Sequence, residues 1–182
     1  ESQRMRKQSA RAGTTAKRAL QLDPQQPKVH TEVAYGLQDR GLFDWAEQEY
    51  RYSLAHAHPG SFEDIRARYF LSEMLHDRGD DRAAALVLQG VIDIASKDAT
   101  VNKRMNGFFR QAAGFHSRCH YFFAQHLHAL GKFAEERERL DQALAADPTD
   151  ADVLIALYRI PEKSAAERNR VMTLIRKAST EF

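Results

Sequence analysis

A dense group of histidines around the chain's one cysteine supplies the residue types most able to do chemistry. The string HSRCHYFFAQHLH covers residues 116–128. On a helix, residues three and four positions apart share a face, so His116, Cys119 and His120 would lie side by side. Such a group could bind Zn²⁺ or Cu²⁺, or could pair a thiol nucleophile with a base. Packing between helices would use the same side chains with neither chemistry. We favour packing and expect no cofactor.

The composition predicts the kind of element that must position these residues. The chain has 182 residues, of which 43% are hydrophobic and 29% charged, enough for one domain with a sizeable core. Good helix formers dominate, and no alternating Val/Ile/Thr run indicates a sheet. The sequence has no apolar run of membrane-spanning length and no familiar catalytic motif, so we expect neither a membrane span nor an enzyme. A single cysteine slightly favours a cytoplasmic location but leaves the compartment open.

The first part of the chain is basic. Residues 1–30 contain seven Lys or Arg residues against two acidic ones, and residues 1–13 have no apolar stripe. We expect 1–13 to be a frayed terminal segment. A basic arm could meet nucleic acid or an acidic partner. No aromatic side chains interleave with these charges, as single-strand binding would require, so we expect a solvated face and no nucleic-acid partner.

Amphipathic helical runs separated by glycine or proline occupy the remaining residues. Apolar side chains recur at i, i+3 and i+4, the pattern of helices that bury one face. Three turns fall at Gly41, Gly79 and Gly131, where a positive φ costs glycine little. The polar stretch 97–107 is predicted to be a longer connection.

Aligning the three turn glycines exposes a repeat. A leucine lies four residues before each glycine, at Leu37, Leu75 and Leu127. Five residues after each glycine lie Ala46, Ala84 and then Glu136. Larger apolar residues fall at shared positions eight before and nine after the glycine: Val33, Leu71 and Phe123, then Tyr50, Leu88 and Leu140.

This pattern resembles the tetratricopeptide repeat, a helix-turn-helix unit of 34 residues. The resemblance covers residues 14–179 as a single domain: a half unit at 14–24, units at 27–60, 62–96 and 115–148, and a divergent capping unit at 151–179. The glycine spacings of 38 and 52 indicate insertions between units. Glu136 departs from the family's small residue and is expected to loosen that helix crossing.

The resemblance implies a right-handed superhelix of antiparallel helix pairs, whose first helices line a concave groove that binds a peptide or partner protein. The family's groove positions fall in this chain on nine residues: Thr31, Tyr35, Gln38, Tyr69, Glu73, His76, Tyr121, Gln125 and His128. One subgroup of the family grips a C-terminal carboxylate with Lys and Asn where this chain has Thr31 and Tyr35, so that mode is not expected. Two alternatives are self-association into a homo-oligomer and a metal- or nucleic-acid-binding accessory module.

Overall fold

The computed structural model describes residues 26–108, 111–161 and 164–180. All regular secondary structure in these ranges is α-helical, which confirms the predicted all-α class. The described helices are α1 (Pro27–Gln38), α2 (Phe43–His56), α3 (Phe62–Asp77), α4 (Asp81–Ala95), α5 (Ala99–Asn106), α6 (Gln111–Ala129), α7 (Phe133–Ala146), α8 (Ala151–Arg159) and α9 (Ala165–Thr180). The basic segment 1–13 and the predicted half unit 14–24 lie outside the described residues.

The three predicted turns share one geometry. Gly41, Gly79 and Gly131 have φ values of 71°, 82° and 71°, in the left-handed region where a side chain would be strained. Each glycine N–H donates to the carbonyl oxygen three residues earlier. The N–H of the residue after each glycine donates to the carbonyl oxygen of the leucine that lies four residues before the glycine. These paired bonds satisfy the last carbonyls of the first helix, as a glycine-based helix end does.

Helix α5 corrects the prediction of an irregular connection over 97–107. The Asp98 side chain accepts a hydrogen bond from the Thr100 N–H at 2.8 Å and so caps the helix start. Val101 and Met105, one helical turn apart, are buried. The helix packs against α4 and α6. Only these two residues form its apolar stripe, too few among polar neighbours to predict a helix from the sequence.

The chain divides into two compact units, residues 1–74 and 75–182, with the boundary inside α3. In the first unit, α1 packs against α2, and the fully buried Ala34 and Ala46 are the kind of small residue that lets two helices approach closely. In the second unit, α4 packs on α6, α6 on α7, α7 on α8 and α8 on α9. Its core includes Leu140, Ala143 and Val153.

None of the helices within the described ranges is both long enough and apolar enough to cross a lipid bilayer.

Candidate functional site

The cysteine of the histidine-rich string is a packed core residue. Cys119 is buried, and its thiol points to the Ala85 carbonyl oxygen at 3.5 Å and to Gln89 Oε1 at 3.6 Å. Burial raises the pKa of the thiol to about 12. Because the thiolate is the nucleophilic form, Cys119 stays an unreactive thiol at neutral pH. Burial and this pKa favour the packing interpretation of Cys119 over the nucleophile interpretation.

The histidines beside Cys119 do not join it in a metal site. Burial lowers the pKa of both His116 and His120, and for His120 the nearby Arg139 guanidinium lowers it further. Arg139 lies 3.3 Å from His120 Nδ1. The described part of the chain contains no group of three or more His, Cys, Asp or Glu side chains placed to hold a metal ion. The structure thus does not bring the three metal candidates together.

A pocket on the second unit does bring predicted residues together. Its volume is about 440 Å³. Eight residues line it. Three belong to the predicted groove set and lie on α6, one lies on α7, and four lie on α8. They are Tyr121, Gln125 and His128, then Glu136, and finally Asp152, Ile155, Ala156 and Arg159. We call this cavity the α6–α8 pocket.

Helical spacing explains how two helices supply most of these walls. Tyr121, Gln125 and His128 follow one another at i+4 and i+3, so they share one face of α6. Ile155 and Arg159 are four residues apart on one face of α8. The stripe on α6 is polar, and the stripe on α8 combines polar and apolar residues. The pocket is thus built by two facing stripes.

A buried carboxylate connects the start of α8 to α6. Asp150 accepts hydrogen bonds from the N–H groups of Asp152 and Val153, at 3.1 and 3.4 Å, and so caps α8. Its other oxygen accepts from the Ser117 hydroxyl at 2.9 Å. Both side chains are buried. This bond fixes the end of α8 from which the pocket wall begins.

A buried arginine contacts two of the residues that line the pocket. Arg118 is 5% exposed and donates to Asp152 Oδ2 at 2.7 Å. Its guanidinium also lies over the rings of Tyr121 and Phe122, at 4.9 and 4.8 Å. Burial, and then the charge of Asp152, raises the pKa of Tyr121 to about 12. The Tyr121 hydroxyl therefore remains a hydrogen-bond donor in the pocket.

Glu136 lines the pocket at the position, five residues after the turn glycine, where the helix pairs around Gly41 and Gly79 have alanine. Its side chain is buried, with 2% of the residue exposed. His128 Nδ1 lies 3.1 and 3.0 Å from its two oxygens. The expected effect of this departure was a looser crossing. What the structure shows is a histidine–carboxylate pair that lines the pocket.

Two polar side chains of the pocket retain unused hydrogen-bonding capacity. Within the described ranges, neither the Gln125 amide nor the Arg159 guanidinium forms a hydrogen bond or ion pair. Ile155 is 45% exposed and offers an apolar contact beside them. Among the described residues, the pocket therefore presents an amide and a guanidinium that have no side-chain partner, beside an apolar surface.

The first unit holds the predicted residues of α1 and most of those of α3. The Tyr35 ring is half exposed and lies 5.2 Å from Phe70, which Tyr69 contacts edge-on at 5.6 Å. Gln38 Oε1 accepts a hydrogen bond from the Tyr50 hydroxyl at 2.9 Å. Glu73 is half-buried on the same helix as Tyr69.

Thr31 is a correction to the predicted groove set. Only 1% of it is exposed, and its hydroxyl bonds to Ser53 Oγ at 2.8 Å and to the Pro27 carbonyl. Because the Thr31 hydroxyl is buried and hydrogen-bonded between α1 and α2, it is not accessible to a partner. His76, in the second unit, hydrogen-bonds to Asp81 and packs edge-on against Tyr121.

The sequence interpretation missed the four pocket residues of α8. The divergent unit at 151–179 has no turn glycine, so the glycine alignment gave no position to Asp152, Ile155 or Arg159. A usable signal existed: Asp147-Pro148 ends the preceding unit, and counting from it would have given groove positions to the first helix of the divergent unit, α8.

Similarity to solved structures is found at the level of the fold. Two crystal structures of MamA, a protein with a TPR-like helical fold, superpose on 91% of this chain with TM-scores of 0.58 and 0.56. Both are 16% identical to the chain, and the alignments cover 84% and 78% of those proteins. No family model matches the chain, and no curated protein matches it in sequence. The likeness shows the fold class, an all-helical repeat solenoid of the TPR-like kind.

Proposed function

We propose that this chain is a tetratricopeptide-type interaction scaffold, one repeat domain over residues 14–179, that binds an extended segment of a partner protein in the α6–α8 pocket. The observation that carries the proposal is the pocket itself. It lies where the resemblance predicts the partner-facing residues Tyr121, Gln125 and His128. It combines an apolar wall with polar groups that have no hydrogen-bond partner among the described residues. Ligand sites in proteins are concave and have this mixture.

The side chains of the pocket suit a peptide backbone. The free Gln125 amide offers one donor group and one acceptor, the complement of a peptide N–H and C=O. The Tyr121 ring offers contact area at low entropic cost because a packed arginine already holds it. Ile155 provides a place for an apolar side chain of the partner. The fold class, in which repeats stack to expose extended binding surfaces, supports the same function.

A selection from a displayed random peptide library tests the proposal. The wild-type chain is expected to enrich peptides that the double variant Gln125→Ala, Ile155→Ala binds at least about tenfold more weakly, because central contacts contribute most of the binding energy. The matched control is Gln48→Ala, Leu86→Ala, which removes one exposed glutamine and one exposed apolar residue away from the pocket. The control is expected to bind like wild type.

Circular dichroism and thermal unfolding confirm that each variant folds before binding is compared. Peptides that bind wild type and the pocket variant equally would remove the pocket as the site. Failure to enrich any peptide would remove the peptide-scaffold function, and measurement of mass in solution on the same sample would then test self-association.

A further inference from the structure

We propose that the α6–α8 pocket selects a partner segment carrying an internal aspartate or glutamate, and that Arg159 binds this carboxylate. The inference rests on the proposed function, because it names the chemistry of the segment that the same pocket takes. It follows from which charges in the pocket are already paired and which are not.

The two carboxylates that line the pocket, Glu136 and Asp152, each already have a side-chain partner. Glu136 is paired with His128, and Asp152 is paired with Arg118. Arg159 remains, and within the described residues its guanidinium has no anionic partner. A ligand anion would therefore complete the set, whereas a ligand cation would have to compete with His128 or Arg118 for a carboxylate.

The geometry of α8 favours an acidic side chain within a continuing segment. Ile155 and Tyr158 are exposed, and they lie four residues and one residue before Arg159. An extended chain that places a carboxylate on Arg159 could thus lay neighbouring side chains on this apolar surface. The Gln125 amide would bind the backbone of the segment, and the guanidinium would bind both carboxylate oxygens, the arrangement in which arginine is most selective.

Arg159 also ends its helix, where a cation interacts favourably with the helix dipole. That role stabilises the fold slightly and requires no ligand. The two roles differ in what they predict: loss of the charge would lower thermal stability a little in the structural role, but would change ligand preference only in the binding role.

The test uses three synthetic random-peptide libraries that differ in one feature. The first contains Glu and has an amidated C-terminus. The second contains Gln in place of Glu and is also amidated. The third contains Gln and has a free C-terminal acid. We expect the immobilised wild-type chain to retain the Glu library about tenfold more strongly than either Gln library, and more salt to reduce this difference.

Variants assign the preference to the residue. Arg159→Gln is expected to abolish the preference for Glu. Arg159→Glu is expected to reverse it, so that the chain prefers a fourth, amidated library that contains Lys in place of Glu. Arg82→Gln is the control, because Arg82 is an exposed arginine on α4 away from the pocket. It should leave the preference unchanged.

Each remaining outcome overturns the inference. Equal retention of Glu and Gln peptides, with binding still lost in the Gln125→Ala, Ile155→Ala variant, would leave the pocket function intact and remove the acidic preference. Retention of the free-acid library alone would replace the internal side chain by a chain terminus. A preference for Glu that persists in Arg159→Gln would show that a residue other than Arg159 binds the carboxylate. No retention of any library would overturn both proposals.

Discussion

The carboxylate of Asp150 does two structural jobs at once. It caps α8 and accepts the buried Ser117 hydroxyl from α6. Asp150→Ala should therefore lose the cap and leave a buried hydroxyl without its partner. We expect the free energy of unfolding to fall by roughly 2–3 kcal/mol, the sum of a lost cap and a lost buried hydrogen bond. Urea denaturation monitored by circular dichroism measures it.

A second capping aspartate provides the control. Asp98 caps α5 through the Thr100 N–H, but this bond is exposed. Its loss is expected to cost clearly less than the loss of Asp150, because water can replace the exposed bond. Equal losses would mean that the Ser117 bond adds nothing.

Acid sensitivity should arise in part from two half-buried histidines. The pKa of His116 and of His120 is lowered, first by burial and, at His120, then by Arg139. A depressed folded-state pKa means that the unfolded chain binds protons first, so stability is full above the ordinary value of about 6.5 and falls as the pH drops below it. Between pH 7 and pH 5, wild type should lose more stability than His116→Gln, His120→Gln. Thermal unfolding across this range decides it, and parallel curves would contradict the assignment.

The resemblance to the tetratricopeptide repeat pointed to part of the pocket. Once Gly131 fixed the register of the repeat, the family's groove positions fell on Tyr121, Gln125 and His128, and all three line the pocket. The sequence could not reveal that the Thr31 hydroxyl would bond to Ser53, or that Arg159 would have no ion-pair partner within the part of the chain that the structure describes. Both depend on side chains from elements distant in sequence, which spacing within one helix does not encode.

At the scale of elements, the turn glycines are the strongest sequence signal. Gly79 has a φ of 82°, and an added Cβ would meet no neighbouring atom within 4 Å. The cost of Gly79→Ala should therefore be conformational alone, about 1–2 kcal/mol. Chemical denaturation measures the change.

Gly36→Ala is the opposite control. Gly36 lies inside α1, where alanine is the better helix former by about 1 kcal/mol. The nearest atom to the added methyl would be the flexible end of Arg40 at 3.2 Å. This variant should be stabilised or unchanged. Destabilisation of both variants by the same amount would contradict the assignment of the Gly79 cost to its positive φ.

The α6–α7 hairpin offers a direct test of why it carries a buried acid. Alanine occupies the matching position in the other glycine hairpins, at Ala46 and Ala84. We expect Glu136→Ala to change the melting temperature little, because the loss of the His128 contact is offset by removal of the desolvation cost of the buried carboxylate, while weakening peptide binding to the pocket. His128, half exposed, can then hydrogen-bond to water. A clear loss of stability without loss of binding would make Glu136 purely structural.

Helix prediction failed only where the apolar stripe was narrow. Eight of the nine described helices follow runs of apolar residues broad enough to indicate a buried face. Helix α5 exposes most of its residues and buries two, so its capping aspartate was its clearest signal. Local capping chemistry and contacts with α4 and α6 decide such a short helix, and only the capping part is visible in sequence.

The whole chain combines short-range units, and its compact parts are residues 1–74 and 75–182. In repeat proteins each unit contacts mainly its neighbours, so stability is distributed along the chain and does not reside in one central core. A core substitution should then be felt most strongly near its own position. The alternative is one cooperative domain in which every helix loses protection together.

Leu140→Ala tests which description holds. Leu140 is fully buried in the cluster to which α6, α7, α8 and α9 contribute, so its truncation should cost about 2–5 kcal/mol. Hydrogen exchange followed by mass spectrometry should show faster exchange in α6–α8, with peptides of α1 and α2 nearly as protected as in wild type. Ala46→Gly, in the core of the first unit, is the reciprocal variant and should loosen α1 and α2 first. If either substitution accelerates exchange uniformly from α1 to α9, the units do not respond separately, and ligand binding in the pocket would be expected to stabilise the entire described chain.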